Sequence, residues 1–234
     1  MADNPLDNPL DNPVWHAVTG PQRELSLLAD PEVAGRFEPD VSVFGATVDL
    51  EPPSWDALAS VLDGENVVGL LRPHEVQVPE GWRSFAAVPC RQYVAESLPD
   101  GPPIDLTELG SADAPDMQAL VELTEPGPFS PRTHEMGTYL GLRRDGALVA
   151  MAGQRLRLPG HVEISAVCVH PDARREGLGA AFTLAVAGRI RAAGDEAFLH
   201  VRTENAGAIE LYERLGFRHR RDIIITVVAP ERPA

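Results

Sequence analysis

A mixed α/β fold, an α+β mixed sheet with helices against its faces, is expected for this 234-residue chain on three observations. The apolar run Val167-Cys168-Val169-His170 stops at Pro171 and passes through a basic, glycine-broken turn into a long segment with an apolar stripe at helical spacing. Segments of strand and helix period alternate from residue 104 onward, which is the pattern of a sheet covered by helices. Between two apolar runs stands Arg144-Asp145-Gly146, and Asp-Gly there marks a β-hairpin turn.

The chain opens on Asp-Asn-Pro-Leu, Asp-Asn-Pro-Leu, Asp-Asn-Pro, a period of four whose Asx-Pro steps favour turns or extended backbone. Residues 1–13 therefore read as a tail. A helix is expected over 21–28, a strand over 43–50, and a helix over 54–62, where Trp55, Leu58, Ala59 and Leu62 share a face and Ser54 can cap. Extended segments follow at 67–71 and 84–95. Two prolines after Asp100-Gly101 stop any regular element, so 99–103 is the expected boundary between an N-terminal α/β half at 14–100 and a second region at 104–234.

Beyond that boundary a strand is expected at 106–109, a helix at 113–124 with Pro115 in its first turn, and an irregular loop at 125–138. The hairpin 139–143 and 147–158 follows, then a strand at 162–169. The next helix carries Leu178, Phe182, Ala185, Val186 and Ile190 on one stripe and closes at Ala193-Gly194. A parallel strand at 198–203, a helix from Asn205 to Leu215 ended by Gly216, and a last strand or hairpin at 217–228 complete the chain.

The stretch after Pro171 has the chemistry of an anion site. A helix starting near Gly177 presents backbone N–H groups without intrahelical partners, together with the positive end of the helix dipole. Gly177 and Gly179 carry no Cβ, so an anionic group can approach the backbone, and Arg174 and Arg175 stand beside it to pair with phosphate. Other nucleotide motifs fail at named positions. The chain has no lysine and so no P-loop Gly-Lys-Ser/Thr, and Phe182 stands where a dinucleotide fingerprint starting at Gly177 needs a small residue.

The strand–turn element and Asn205-Ala206-Gly207-Ala208-Ile209-Glu210-Leu211-Tyr212-Glu213-Arg214-Leu215-Gly216-Phe217 together resemble the GNAT superfamily of acyl-coenzyme A-dependent N-acyltransferases. That signature is a Val-x-Val-x-Pro strand, an Arg/Gln-x-x-Gly-x-Gly/Ala turn and a later Asn…Leu-Tyr…Gly-Phe element. The resemblance implies a GNAT domain at 104–234 and acetyl-coenzyme A as acyl donor. It implies a pantetheine arm along Val167, Cys168 and Val169, and a pyrophosphate over Arg174, Arg175, Gly177, Leu178, Gly179 and Ala180. A backbone N–H near Cys168 or Val169 would polarise the thioester carbonyl. It further implies that Asn205 contacts the coenzyme, that Tyr212 returns a proton to the leaving thiolate, and that Glu163, eleven residues before Arg174, is the general base. For the last role an apolar setting that raises the pKa of Glu163 is expected. The implied reaction is acetyl transfer to a primary amine by direct attack. Cys168 is read as packing, because no histidine shares its strand face to activate it as a nucleophile. His134 and Glu135 are candidates for acceptor contact. The half at 14–100 falls outside the resemblance and is open to being read as a degenerate copy of the fold without a cradle, or as a partner-docking module; a coenzyme-binding sensor without turnover is the alternative to the enzyme.

Composition narrows the partners. The net charge of −15 concentrates at the front, with 18 acidic and 5 basic residues over 1–106 against 17 and 15 over 107–234. That balance speaks against nucleic acid, whose phosphates need a basic footprint, and is compatible with a field drawing in a cationic amine. Two cysteines, Cys90 and Cys168, match no metal or disulfide spacing, and the seven histidines form no ligand pair, so no metal is expected. No apolar run reaches membrane-spanning length and no signal-like leader is recognised, so the expected location is the cytoplasm, with a homodimer left open.

Overall fold

The computed structural model describes residues 8–62 and 67–231. The chain enters through α1 (Pro13–Val18) and lays down β1 (Ser26–Leu28), β2 (Ala34–Phe37) and β3 (Phe44–Thr47) before α2 (Pro52–Ser60), β4 (Val68–Arg72) and the long β5 (Trp82–Ala95). Then come β6 (Thr107–Leu109), α3 (Ala114–Thr124), β7 (Tyr139–Arg144), β8 (Ala147–Leu158), β9 (His161–Val169), α4 (Leu178–Ala192), β10 (Glu196–Arg202), α5 (Ala206–Leu215) and β11 (Phe217–Pro230). The eleven strands among the described residues join one mixed sheet in the order β1-β2-β3-β4-β11-β5-β10-β9-β8-β7-β6. The α/β class and the mixed sheet with its helices are as the sequence leads one to expect.

Local chemistry explains most element ends. The β7–β8 hairpin turns at Asp145 and Gly146, both at positive φ (50° and 84°), the pair that a tight Asp-Gly turn requires. Pro115 sits in the first turn of α3, where its missing N–H has no intrahelical partner in any case. Asn205 caps α5 by accepting from the Ala208 N–H at 3.1 Å, and Gly216 ends it at φ 99°.

The sheet is continuous across the 99–103 breaker. β11, from the C-terminal region, lies between β4 and β5, and β5, from the N-terminal half, lies between β11 and β10. The core crosses the same line: Leu10, Val14, Trp15, Phe37 and Phe44 cluster with Leu156, Leu158, Phe198 and Ile223. Burying each such large apolar side chain contributes about 1.5–3 kcal/mol, so the two halves stabilise one another.

Three local expectations give way, and one left open is settled. Residues 1–7 of the tail lie outside the described residues, but 8–13 are not a tail: Leu10 and Asn12 are buried, and Asn12 donates to the Thr47 carbonyl at 2.9 Å and accepts from Arg72. Residues 21–28 form no helix, because 26–28 pair antiparallel with 35–37 as β1 and only a short 3₁₀ turn remains at Arg23–Leu25. Ser54 does not cap α2; Glu51 holds that position, and the Ser54 hydroxyl donates to Asp49 at 2.6 Å. The last segment is a single fourteen-residue strand, since it pairs along its length with β5.

One feature of the sheet positions the site. β9 and β10 run parallel, yet their pairing stops after Glu196↔His161, Ala197↔Val162 and Phe198↔Glu163. Both strands continue, β9 to Val169 and β10 to Arg202, and diverge. On its opposite edge β10 stays paired with β5 from Phe198 to Arg202. Ala166, at φ 51°, sits where the β8–β9 register slips, so a bulge bends β9 at the split.

Candidate active site

Two adjoining clefts open where β9 and β10 part. The first, about 420 Å³, is lined by Val169, Ala173, Arg174, Arg175, Gly177, Leu178, Gly179 and Ala180, with Gly207, Leu211 and Arg214 from α5. Gly177 opens α4 at φ 79° and offers no side-chain cap, so the first amides of the helix are not occupied by a side chain. A Cβ at Gly177 would meet nothing within 4 Å, and one at Gly179 only Leu211 Cδ2 at 3.4 Å: the glycines face open space rather than packed neighbours. The exposed Arg174 reaches back to the Val169 carbonyl, Nε to O 3.4 Å. An open helix start with two exposed arginines in its lining could hold an anionic group such as a pyrophosphate.

The second cleft, about 430 Å³, is lined from the β9–β10 split by Ser165, Ala166, Val167, His200, Val201 and Arg202, and from α5 by Asn205, Ala208 and Tyr212. Thus Val167, Asn205 and Tyr212 meet in one cavity while Val169 and the 174–180 turn line its neighbour. Burial pushes the Tyr212 phenol up to about 12, so it stays protonated at neutral pH, as a proton donor must. Its ring packs edge-on to Phe217 at 5.9 Å. The Cys168 side chain points the other way, into a cluster with Met117, Leu120 and Tyr139, and burial pushes its thiol up to about 12; it is a packing residue.

Glu163 is the correction. It is fully buried and does not line the cavity; Arg155 and His200 do. Arg155 Nε donates to Oε2 at 2.8 Å and Nη2 to Oε1 at 2.7 Å, while His200 Nδ1 lies 2.8 Å from Oε1. Burial alone would raise the carboxyl, but the Arg155 charge and hydrogen bonds, with His200 behind them, outweigh it and hold the group at about 2. The expected apolar setting is therefore absent. A carboxylate so held is a poor proton acceptor.

His134 and Glu135 also stand apart from both clefts. His134 Nε2 pairs with Ser111 Oγ at 3.2 Å, and Glu135 is held below its ordinary pKa by Arg132, 2.8 Å away.

The cavity has walls that the sequence did not announce. Phe44 of β3, Cys90 of β5 and Ile225 of β11 close one side, and Glu125-Pro126-Gly127-Pro128 close another. The only local signal for Arg155 was a charge within the β8 apolar run, and strict alternation would have grouped it with exposed Arg157; a register shift between Gln154 and Arg157 separates them.

A family profile described as FR47-like protein matches residues 139–224. An acetyltransferase of the GNAT family from Novosphingobium aromaticivorans shares 37% identity over 97% of this chain and 100% of its own, with a TM-score of 0.88. The chain belongs to the GNAT family. The GCN5-related N-acetyltransferase of Kribbella flavida, 19% identical over 88% of this chain and 90% of its own with a TM-score of 0.57, shares the fold. A search of curated proteins gave no match. As a GNAT acyltransferase the chain carries the family's acetyl-transfer chemistry. Its N-terminal half falls within the full-length similarity to the Novosphingobium protein, and two of that half's residues, Phe44 and Cys90, wall the GNAT cavity. Among the described residues no helix is long and apolar enough to cross a membrane, and no cluster of three His, Cys, Asp or Glu forms a metal set.

Proposed function

We propose that this GNAT protein transfers an acetyl group from acetyl-coenzyme A to a primary amine by direct attack. The observation that carries the reading is the β9–β10 split, which leaves strand backbone unpaired between an anion cradle and a cavity holding Asn205 and Tyr212. The donor supplies a thioester already activated toward an amine. Arg174, Arg175 and the amides at Gly177–Ala180 would hold its phosphates, and the backbone at Val167–Val169 its pantetheine amides. Amide groups at the split would stabilise the charge that develops on the thioester carbonyl oxygen, and such donors are worth most in a water-poor cleft. Tyr212 keeps its proton until a thiolate needs one. With Glu163 bound by Arg155, the amine proton leaves through water toward the mouth, where Glu125 and Glu204 line the cavity. The amine is therefore engaged in its neutral form. Thiol release across peptide amines, polyamines, antibiotics and amino acids, with mass detection of the product, tests the reading; coenzyme binding without transfer to any of them would leave a sensor.

A further inference from the structure

Arg155 holds an unspent hydrogen-bonding edge on the wall of the second cavity. The residue is 7% exposed and lines the cavity, whereas the other lining arginine, Arg202, has a side chain 52% exposed at the mouth. A guanidinium offers five N–H donors in a rigid plane. Glu163 takes one of them from Nε and one from Nη2, the side-on fork. Nη1 has no hydrogen-bond partner among the described residues, so the end-on edge of Nη1 and Nη2 is left over.

The group is also immobilised. Its face lies over the Phe44 ring at 5.0 Å, and Glu163 is itself fixed by His200. His200 Nε2 lies 3.0 Å from Gln92 Nε2, and Gln92 in turn donates to the Leu10 carbonyl at 2.9 Å and accepts from Arg220 at 2.8 Å. The N-terminal segment thus helps brace a buried cation whose remaining donors border empty space. That edge faces the cavity, and an oxygen ligand with a planar pair of acceptors matches it.

We propose that the acceptor is an amine that also carries a carboxylate, an amino acid or a small derivative of one, with its carboxylate on the end-on edge of Arg155. The rest of the cavity suits a zwitterion: Glu125 and Glu204 also line it and offer negative charge to an ammonium group arriving from solvent. Arg155 is then a specificity residue that touches substrate, and Glu163 and His200 are positioning residues behind it. The assignment rests on the acetyl-acceptor reading of this cavity, and its test is separable from that reading because it needs no turnover.

The experiment is a thermal-shift and calorimetric titration of the full chain with coenzyme A present. The panel is a set of amino acids, each beside its decarboxylated amine and its carboxamide. Charged hydrogen bonds of this kind discriminate by about tenfold to a hundredfold, so the amino acids are expected to bind that much more tightly than the decarboxylated amines, with the amides between. Arg155→Lys keeps a cation for Glu163 but loses the planar fork, and the preference is expected to shrink toward unity in it. Decarboxylated amines binding the parent as well as the amino acids do, or no amino acid binding at all, overturns the proposal. Should Arg155→Lys fail to fold, the parent's panel alone decides. If amino acids bind selectively but are never acetylated, the transfer reading fails and the carboxylate site stands.

Discussion

Replacing Glu163 by Gln separates two accounts of this strand. The substitution preserves shape and leaves an oxygen for Arg155 but removes the charge, so a buried guanidinium loses its counter-ion. Breaking a buried pair from one side costs about 3–5 kcal/mol. Linkage gives a similar figure: a carboxyl held at about 2 against an ordinary 4.5 corresponds to about 3 kcal/mol at about 1.4 kcal/mol per unit. For a chain of this size each kcal/mol moves Tm by about 2–4 °C, so Glu163→Gln is expected to melt about 6–20 °C below the parent. The pH dependence has a definite sign. Because the folded pKa is depressed, the stabilisation is complete above about 4.5 and is lost as pH falls through about 2; the parent should lose this increment across that window and the variant should not. Differential scanning calorimetry between pH 2 and 7 measures both. At a temperature where each protein is folded, the acidic limb of the kcat/KM profile should keep its shape in the variant, because the titrating group is not Glu163. A variant that melts with the parent while its acidic limb flattens would refute the reasoning and restore Glu163 as the base.

Two further outcomes follow from the clefts. On the proposed reading acetyl-coenzyme A binds only the folded cradle, so saturation at about a hundred times Kd should stabilise the fold by about 2.7 kcal/mol, while NAD and ATP should do much less; equal melting shifts from all three would remove the coenzyme specificity. Tyr212→Phe keeps the packing against Phe217 and removes only the donor, so kcat should fall about 10²–10⁴-fold where thiolate departure limits the rate, with coenzyme affinity nearly kept; an unchanged kcat would leave Tyr212 as a packing residue.

What could be read in the sequence were features whose cause is local. The Asp145-Gly146 turn, the Asn205 cap, Gly177 at the start of α4 and the apolar stripe of that helix follow from the backbone and spacing preferences of a few adjacent residues, and each is in place. The uncapped helix start that lines the first cleft was legible for the same reason: a strand, a turn and a helix start within fifteen residues. Tertiary effects were not legible. Residues 26–28 became a strand because 35–37 were beside them, and 8–13 were drawn into the core by Thr47, Arg72 and Gln92, partners tens of residues away. Glu163 was misjudged on the same account. Its position on β9 was right, but its pKa is set by Arg155 on the neighbouring strand and by His200 across the split, and a register shift in β8 decides that Arg155 faces it.

The central claim is that the turn from Arg174 to Ala180 holds the coenzyme, and titration calorimetry of acetyl-coenzyme A into Gly179→Val tests it most directly. The added side chain meets little of the protein, since a Cβ there touches only Leu211 Cδ2 at 3.4 Å, but it projects into the cleft. Gly188→Val serves as the control: it lies in the same helix, where a Cβ also meets nothing within 4 Å, but does not line the cradle. Both variants are expected to melt close to the parent. The account predicts that Gly179→Val loses acetyl-coenzyme A binding while Gly188→Val keeps it, and parental affinity in Gly179→Val would contradict it.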